Sequence, residues 1–504
     1  MKTLKNDWKL GAAVGTALSL GSAGAIAGPH GFDLHNVLNG ASASFAGTSI
    51  AHTEDPVSAV FGNPATLTQY YGGTNFAFGA TFYMPRVQMV HDGSAGYATG
   101  EAAASVDIDG GAAGRGNADS GGYSFDARSK ADVYAVPAVA VTQDLSGLGI
   151  PVVLGVGVTA TNGIGVDYKH SPNSLGAAAE LINLGVNAGI GMKMSDTLDV
   201  GVSMTITYAM LEAGLTGSGG MTHDIGFRGT IGARKHISDA TTVAMYYQTE
   251  MEHQYDNLHV TSMDGSNATV TSALAPIKCN GAELNPNTTS GVCRQDVEVQ
   301  QPWNLGLGVS HQLDANTIVM LDFTHKKWSE ARFFEEFYDD QNVVSVGVQK
   351  TMGNLKLRAG YGYADDPLLS KVQVGDQIRT IGGVNANGKA YTSPMYGLFM
   401  SYFQAMETPV IYKHRVSLGL GVENFLGVPF LSLDSHVAIQ LEEDKCFGAG
   451  QIDVTDTYNN TTGTNGTNGT SLNAGLAADG CTSEDHTKAT VSSFHLGGAL
   501  TWSF

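Results

Sequence analysis

From residue 74 to the end of the chain, hydrophobic and polar positions alternate in short runs. Near 74–90, Phe76, Phe78, Ala80, Phe82 and Met84 share one parity. Near 198–211, Val200, Val202, Met204, Ile206, Tyr208 and Met210 alternate with Gly201, Ser203, Thr205 and Thr207. The final stretch SSFHLGGALTWSF puts Phe494, Leu496, Leu500, Trp502 and Phe504 on one side and Ser493, His495, Gly497, Ala499, Thr501 and Ser503 on the other. A period of two is the mark of a β-strand with one greasy face. Fourteen such segments begin near residues 74, 132, 151, 181, 198, 223, 240, 302, 315, 341, 354, 410, 430 and 489.

The connections alternate as well. After the even-numbered segments they are tight: DLSGLG, SDT, SDA, DAN, MGN and LGVP. After most odd-numbered segments they are long, as at 91–131, 259–301, 365–409 and 444–488, with 213–222 a modest exception. An even number of strands in a meander, with the long loops at one end, is the pattern of an outer-membrane barrel. About 9–11 residues per strand suffice to cross a bilayer, and closing the sheet leaves no unpaired backbone edge in lipid. The predicted fold is therefore all-β: a 14-stranded antiparallel transmembrane β-barrel over 74–504. Lipid would cover the greasy parity, while the polar one, including Arg228, Arg234, Glu250, Arg358, Asp434 and Glu442, would line the inside. Tyr412, Trp303 and Trp502, near strand ends, suit interfacial girdles.

The first 73 residues break this pattern. Lys2, Lys5 and Lys9 precede the weakly apolar run LGAAVGTALSLGSAGAIA, which ends in Ala25-Ile26-Ala27. Residues 1–27 read as a secretory signal peptide. Residues 28–73 are too polar and irregular for a strand pair, although Asp55 before Pro56 suits a helix start leading into Val57–Phe61. A segment of this kind either hangs in the periplasm or folds into the lumen.

Composition sharpens the picture. Gly is abundant (65) and charged residues make up only 15%, which suits strands and turns. Without residues 1–27, 24 Lys and Arg face 46 Asp and Glu, a net charge of −22. Nucleic acid is excluded as a partner, since phosphate contact depends on clustered cations. The cysteines form two local pairs, Cys279 with Cys293 and Cys446 with Cys481, candidates for loop-closing disulfides in an exported chain. No spacing fits a metal site, no cofactor is implied, and no nucleophile motif is present. The best acid/base set, Asp434, His436 and His495 on the inward parity, reads as ordinary lumen polarity, so the chain is not expected to be an enzyme. The run NNTTGTNGTNGTS (459–471) is low-complexity loop.

The stretch GFDLHNVLNGASASFAGTSIAHTEDPVSAVFGNPATLT resembles the N-terminal hatch of the FadL-type family, outer-membrane transporters of long-chain fatty acids and aromatic hydrocarbons. The resemblance rests on Gly31-Phe32, Ala46-Gly47, Glu54-Asp55 and above all Asn63-Pro64-Ala65. Fourteen strands, the stretch HRVSLGLGVENF and the terminal Phe504 agree with it. It implies that 28–73 is a hatch, or plug, in the lumen, with Asn63, Pro64 and Ala65 beside Phe61 forming a tight turn across the passage. It also implies sideways release of ligand where the third strand kinks, here at Asn162, Gly163 and Gly165 in VVLGVGVTATNGIGVDYKH. In MYGLFMSYFQAMETP, Met395, Leu398, Phe399, Tyr402 and Phe403 follow helical spacing, and an exposed apolar face there would capture ligand. The patch EARFFEEFYDD (330–340) reads as an aromatic girdle or cap. The chain departs from the family in its short, Gly-rich third long loop.

Together these features describe a monomer in the outer membrane of a Gram-negative bacterium, bathed in lipid and carrying a hydrophobic small-molecule ligand. The alternatives are a general porin for polar solutes and a surface adhesin or structural barrel.

Overall fold

The computed structural model describes residues 40–91, 125–171, 174, 178–213, 221–264, 290–336, 338–368, 372–373, 413–448, 452–453, 481 and 485–504. Fourteen strands run in chain order: β1 (Thr74–His91), β2 (Tyr134–Asp144), β3 (Val153–Asp167), β4 (Ala178–Ser195), β5 (Leu198–Ala213), β6 (Thr222–His236) and β7 (Thr241–Gln248), then β8 (Asn304–Asp314), β9 (Thr317–Lys326), β10 (Gln341–Met352), β11 (Leu355–Ala364), β12 (His414–Val422), β13 (Leu431–Gly448) and β14 (Asp485–Ser503). Each pairs antiparallel with the next, and β14 returns to β1, from Asn75 opposite Ser503 to His91 opposite Thr487. The sheet is a closed barrel. Every strand begins within four residues of its predicted start.

Three smaller pieces decorate the long-loop end. Phe125–Arg128 pairs with the end of β1. Met251–Asp264 and Ser290–Gln301 form a hairpin between β7 and β8. Residues 372–373 pair with 452–453. Cys446 and Cys481 are joined in a disulfide, as predicted, whereas Cys279 lies outside the described residues.

Alternation sets which side chain faces which solvent. Phe227 is 59% exposed while Arg228, next in the chain, is 5% exposed. Val202, Met204, Ile206 and Tyr208 of β5 are exposed, and Ser203, Thr205 and Thr207 between them are buried. Repeated around the barrel, this leaves a continuous outer belt of large apolar side chains, which water would penalise and hydrocarbon does not. No helix among the described residues is long and apolar enough to cross a membrane.

Two of the predicted lumen residues do not face inward. The register of β13 against β14 shifts between Gln440 and Glu443, and Glu442 is exposed; the irregularity reverses the parity that the sequence pattern extrapolates. Glu250 lies just past the end of β7 and is also exposed.

The aromatic patch at 330–340 is neither girdle nor exposed face. Phe334 and Tyr338 pack on fully buried Trp328, with ring centroids 5.0 and 5.4 Å away, and make a small core beneath the loop joining β9 to β10.

Candidate functional site

Residues 40–73 are short turns and one helix, and each piece reaches a different part of the wall. The 3₁₀ turn Ser42–Phe45 packs against β10–β13, the helix α1 (Pro56–Phe61) against β1–β4, and the 3₁₀ turn Pro64–Tyr70 against β2–β6. The residues they meet are those of the inward parity. The segment therefore lies in the bore.

Local chemistry explains its shape. Asp55 caps α1, accepting from Ser58 N–H at 2.8 Å, and Pro56 supplies the first helical residue. The other oxygen of Asp55 accepts from the N–H groups of Ala41 and Ser42, at 2.9 and 3.2 Å, folding the earlier turn back onto the helix. Burial raises the Asp55 carboxyl above its ordinary value, partly offset by the Ser58 hydrogen bonds. Val57, Val60, Phe61 and Leu67 form an apolar cluster with Ala77, Ala138, Ala140 and Val153 of β1–β3.

On the remaining sides the segment is held by charge. Asp322 of β9 accepts from Ser49 and Ile50 N–H at 2.7 and 2.9 Å. Arg234 of β6 donates to Ala51 O (2.9 Å), to Thr68 Oγ1 (3.1 Å) and to Asp199 of β5 (3.0 Å). Glu54 meets Lys356 at 2.9 Å and Arg358 at 3.6 Å on β11, and Arg358 also pairs with Asp434. Charge-assisted hydrogen bonds shielded from water are the stronger kind, so these contacts fix the segment on opposite flanks.

Asn63, Pro64 and Ala65 form the predicted tight turn. Asn63 Oδ1 accepts from Ala65 N–H at 3.1 Å, and its Nδ2 donates to Ile50 O at 2.9 Å. The turn presses on the wall: a Cβ at Gly232 of β6 would lie 1.8 Å from Asn63 Oδ1 and would displace that side chain. All three turn residues are buried.

The second feature is in the wall. β2 and β3 pair from Asp144–Val153 up to Ala138–Thr159 and no further. Beyond that point β3 bulges, its register against β4 shifting between Ala160 and Asn162. The irregularity is thus at Thr161, one residue before the predicted Asn162-Gly163-Gly165 kink. Asn162 lies opposite Asn183 and donates to Gln301 at 3.1 Å. The two edges meet again only near Lys130, whose N–H reaches Asp167 O at 2.9 Å. Between the two junctions runs a window of seven β3 residues, 160–166, about 23 Å along the strand at roughly 3.3 Å each.

The window is lapped. Tyr83, Tyr134 and Val136 stand on the inward parity of β1 and β2, yet they cluster with Ala160 and Ile182, which stand on the outward parity of β3 and β4. The upper part of β3 therefore passes inside the edge of β2.

Other predicted groups separate. Asp434 pairs with Arg358, His495 contacts Ser493 Oγ at 2.8 Å, and His436 lies 3.5 Å from Thr81 Oγ1, so they form no catalytic constellation. Met395, Leu398, Phe399, Tyr402 and Phe403 lie outside the described residues, as do Tyr412 and the signal-peptide stretch. Sequence reading placed Arg234 on the inside but missed Asp322 and Tyr134. The available signal was Pro137, a residue without an N–H that belongs at a sheet edge, in the middle of β2.

No family model and no curated protein matches the chain. Solved structures do. A Pseudomonas aeruginosa FadL homologue superposes with TM-score 0.58 at 14% identity, over 94% of this chain and 100% of that one. The Pseudomonas putida toluene transporter TodX gives 0.55 at 15%, over 93% and 99%. The Ralstonia pickettii toluene transporter TbuX gives 0.52 at 14%, over 94% and 99%. The fold is FadL-type. Coverage of 93–94% of this chain and 99–100% of those chains means that the likeness extends over nearly the whole fold.

Proposed function

We propose that the protein is an outer-membrane channel through which hydrophobic compounds, long-chain fatty acids or hydrocarbons, enter passively. Residues 1–27 direct export, and residues 28–73 serve as the hatch. One observation carries this reading: the bore is occupied along its axis, while the wall beside it is interrupted at β3. An axial obstruction suits a polar-solute pore poorly, whereas a gap in the wall offers an apolar molecule a path into lipid. The solved neighbours, toluene transporters and a FadL homologue, support the same assignment.

In this scheme ligand is captured by the apolar face of Met395, Leu398, Phe399, Tyr402 and Phe403. The Asn63-Pro64-Ala65 turn and Phe61 deny it the axial route, and it leaves sideways past Asn162, Gly163 and Gly165. No energy input is required. Transfer out of water contributes about 25 cal/mol per Å² of apolar surface, and the ligand passes from bore to bilayer without re-entering water.

Two measurements test this. In planar bilayers the purified monomer should show little steady ionic current; a large one would identify a porin. Cells expressing the full chain should accumulate alkanes, fatty acids or monoaromatics faster than cells lacking it. Equal accumulation across that whole panel would refute the assignment.

A further inference from the structure

The inner wall of this barrel is mostly polar, with Arg228, Arg234, Asp322, Arg358 and Asp434 all buried on it. Beside the β3 window it changes character. There the inward positions are Tyr83, Tyr134 and Val136, and they rest on Ala160 and Ile182 of the opposing edge. Ala160 and Val136 are short, so neither closes much of the gap. Tyr134 is the large, planar side chain in the overlap, and it stacks on Tyr83 with centroids 6.5 Å apart. Its hydroxyl end lies over Gly165 of β3, where a Cβ would come within 1.9 Å of the Tyr134 oxygen. A side chain at position 165 would push the ring out of this seat.

The setting suits motion. On the β3 side, the backbone of β2 from Tyr134 to Pro137 carries no ladder bond, and below it Pro137 has no N–H to offer. An aromatic ring moves as one rigid plate about two torsions, so a rotamer change at Tyr134 takes the whole ring off β3 at once.

We infer that Tyr134 is the gate leaf of the lateral window, seated on Gly165 when closed, and that its size sets the bulk of ligand the window passes. This rests on the lateral-release reading above. Slim ligands, linear chains or single rings, pass when the leaf swings; wide polycyclic ones do not.

The test is uptake of hexadecane and of pyrene by cells expressing the full chain, with Tyr134→Phe, Tyr134→Leu and Tyr134→Ala. Folding of each variant is checked by the heat-dependent shift of the barrel in detergent gels. Tyr134→Phe keeps the plate and should match wild type. Tyr134→Leu and Tyr134→Ala should raise the pyrene-to-hexadecane uptake ratio in that order, by about tenfold for alanine, the scale of steric discrimination in apolar sites. The graded series keeps the question decidable if alanine does not fold. A structural role alone would lower yield and leave the ratio fixed. Wild-type uptake with an unchanged ratio in folded Tyr134→Leu would overturn this inference alone. Wild-type cells that take up neither probe would overturn the transport reading and the gate with it.

Discussion

Glu54 in the bore and Lys356 on β11 meet at 2.9 Å, and the contact ties the filling segment to the barrel wall. Lys356 also has Glu423 at 3.1 Å, and Arg358 keeps Asp434. Removing the Glu54 charge therefore weakens the segment's attachment more than the wall. Glu54→Gln should loosen the segment by about 1.5–3 kcal/mol, the range for hydrogen bonds to charged groups. The expected outcome is more frequent ionic leak events in planar bilayers with an unchanged gel shift. A leak equal to wild type would show that the other anchors suffice.

The same contact sets a pH window. Burial alone would raise the Glu54 carboxyl, but the hydrogen bond and charge of His52, with Lys356 and Arg358, outweigh it and hold the group below its usual value of 4.5. A depressed carboxylate contributes fully above its unfolded value and loses that contribution only as pH falls through the folded one. Asp55 is shifted upward by burial, so acidification favours its folded environment and does not release the segment. Leak current should stay level from neutrality down to about pH 4.5 and rise only in stronger acid. A rise beginning near pH 6.5 would assign control to a histidine instead.

Asn63 makes two bonds that no other residue type repeats at this turn, one to Ala65 N–H and one to Ile50 O. Asn63→Ala removes both, at a cost of about 1–3 kcal/mol to local docking. Hydrogen exchange at residues 63–68 should quicken while exchange in β5 and β6 stays slow. Unchanged protection at 63–68 would mean that apolar packing by Phe61 and Leu67 alone holds the turn.

The Cys446–Cys481 bond closes a loop of 35 residues, for which the chain-entropy relation gives about 4 kcal/mol. The bond lies beyond the apolar belt, so Cys446→Ser should leave the barrel's gel shift intact and make the loop before β14 sensitive to added protease. Protease resistance equal to that of the oxidised protein would show that the loop is held by other contacts.

Leu418 of β12 points out of the barrel, 55% exposed, whereas its neighbour Ser417 is buried against the segment, accepting from Ala46 N–H at 2.8 Å. Leu418→Arg should destabilise the inserted barrel by about 2–4 kcal/mol near the bilayer midplane, read as a lower urea midpoint in lipid vesicles. The same variant in detergent should lose far less. Equal losses in the two media would argue against a bilayer around that face.

Much of this molecule was legible in its sequence because a single-walled barrel imposes a rule that a two-layered core does not. Where an apolar belt lies on one side and polar filling on the other, as at Phe227 and Arg228, every second residue declares its face. The Asp55-Pro56 helix start and the Asn63-Pro64-Ala65 turn were legible because their capping chemistry is local. Long-range partners were not. Nothing in the sequence pairs Asp322 with the N–H groups of Ser49 and Ile50, more than 270 positions away. The bulge in β3 falls at Thr161, one residue before the Asn162-Gly163-Gly165 stretch, because a bulge leaves the composition untouched. Its overlap escaped because Ala160 and Ile182 look lipid-facing by parity, and only the inward swing of β3 covers them.

The segment in the bore is fastened to both flanks, through Arg234 on one side and Glu54 on the other. A stopper riveted at opposite rims cannot be expelled in one piece without breaking every rivet together. In the transport scheme proposed above, traffic through such a cylinder goes around its obstruction, by the flap in the staves.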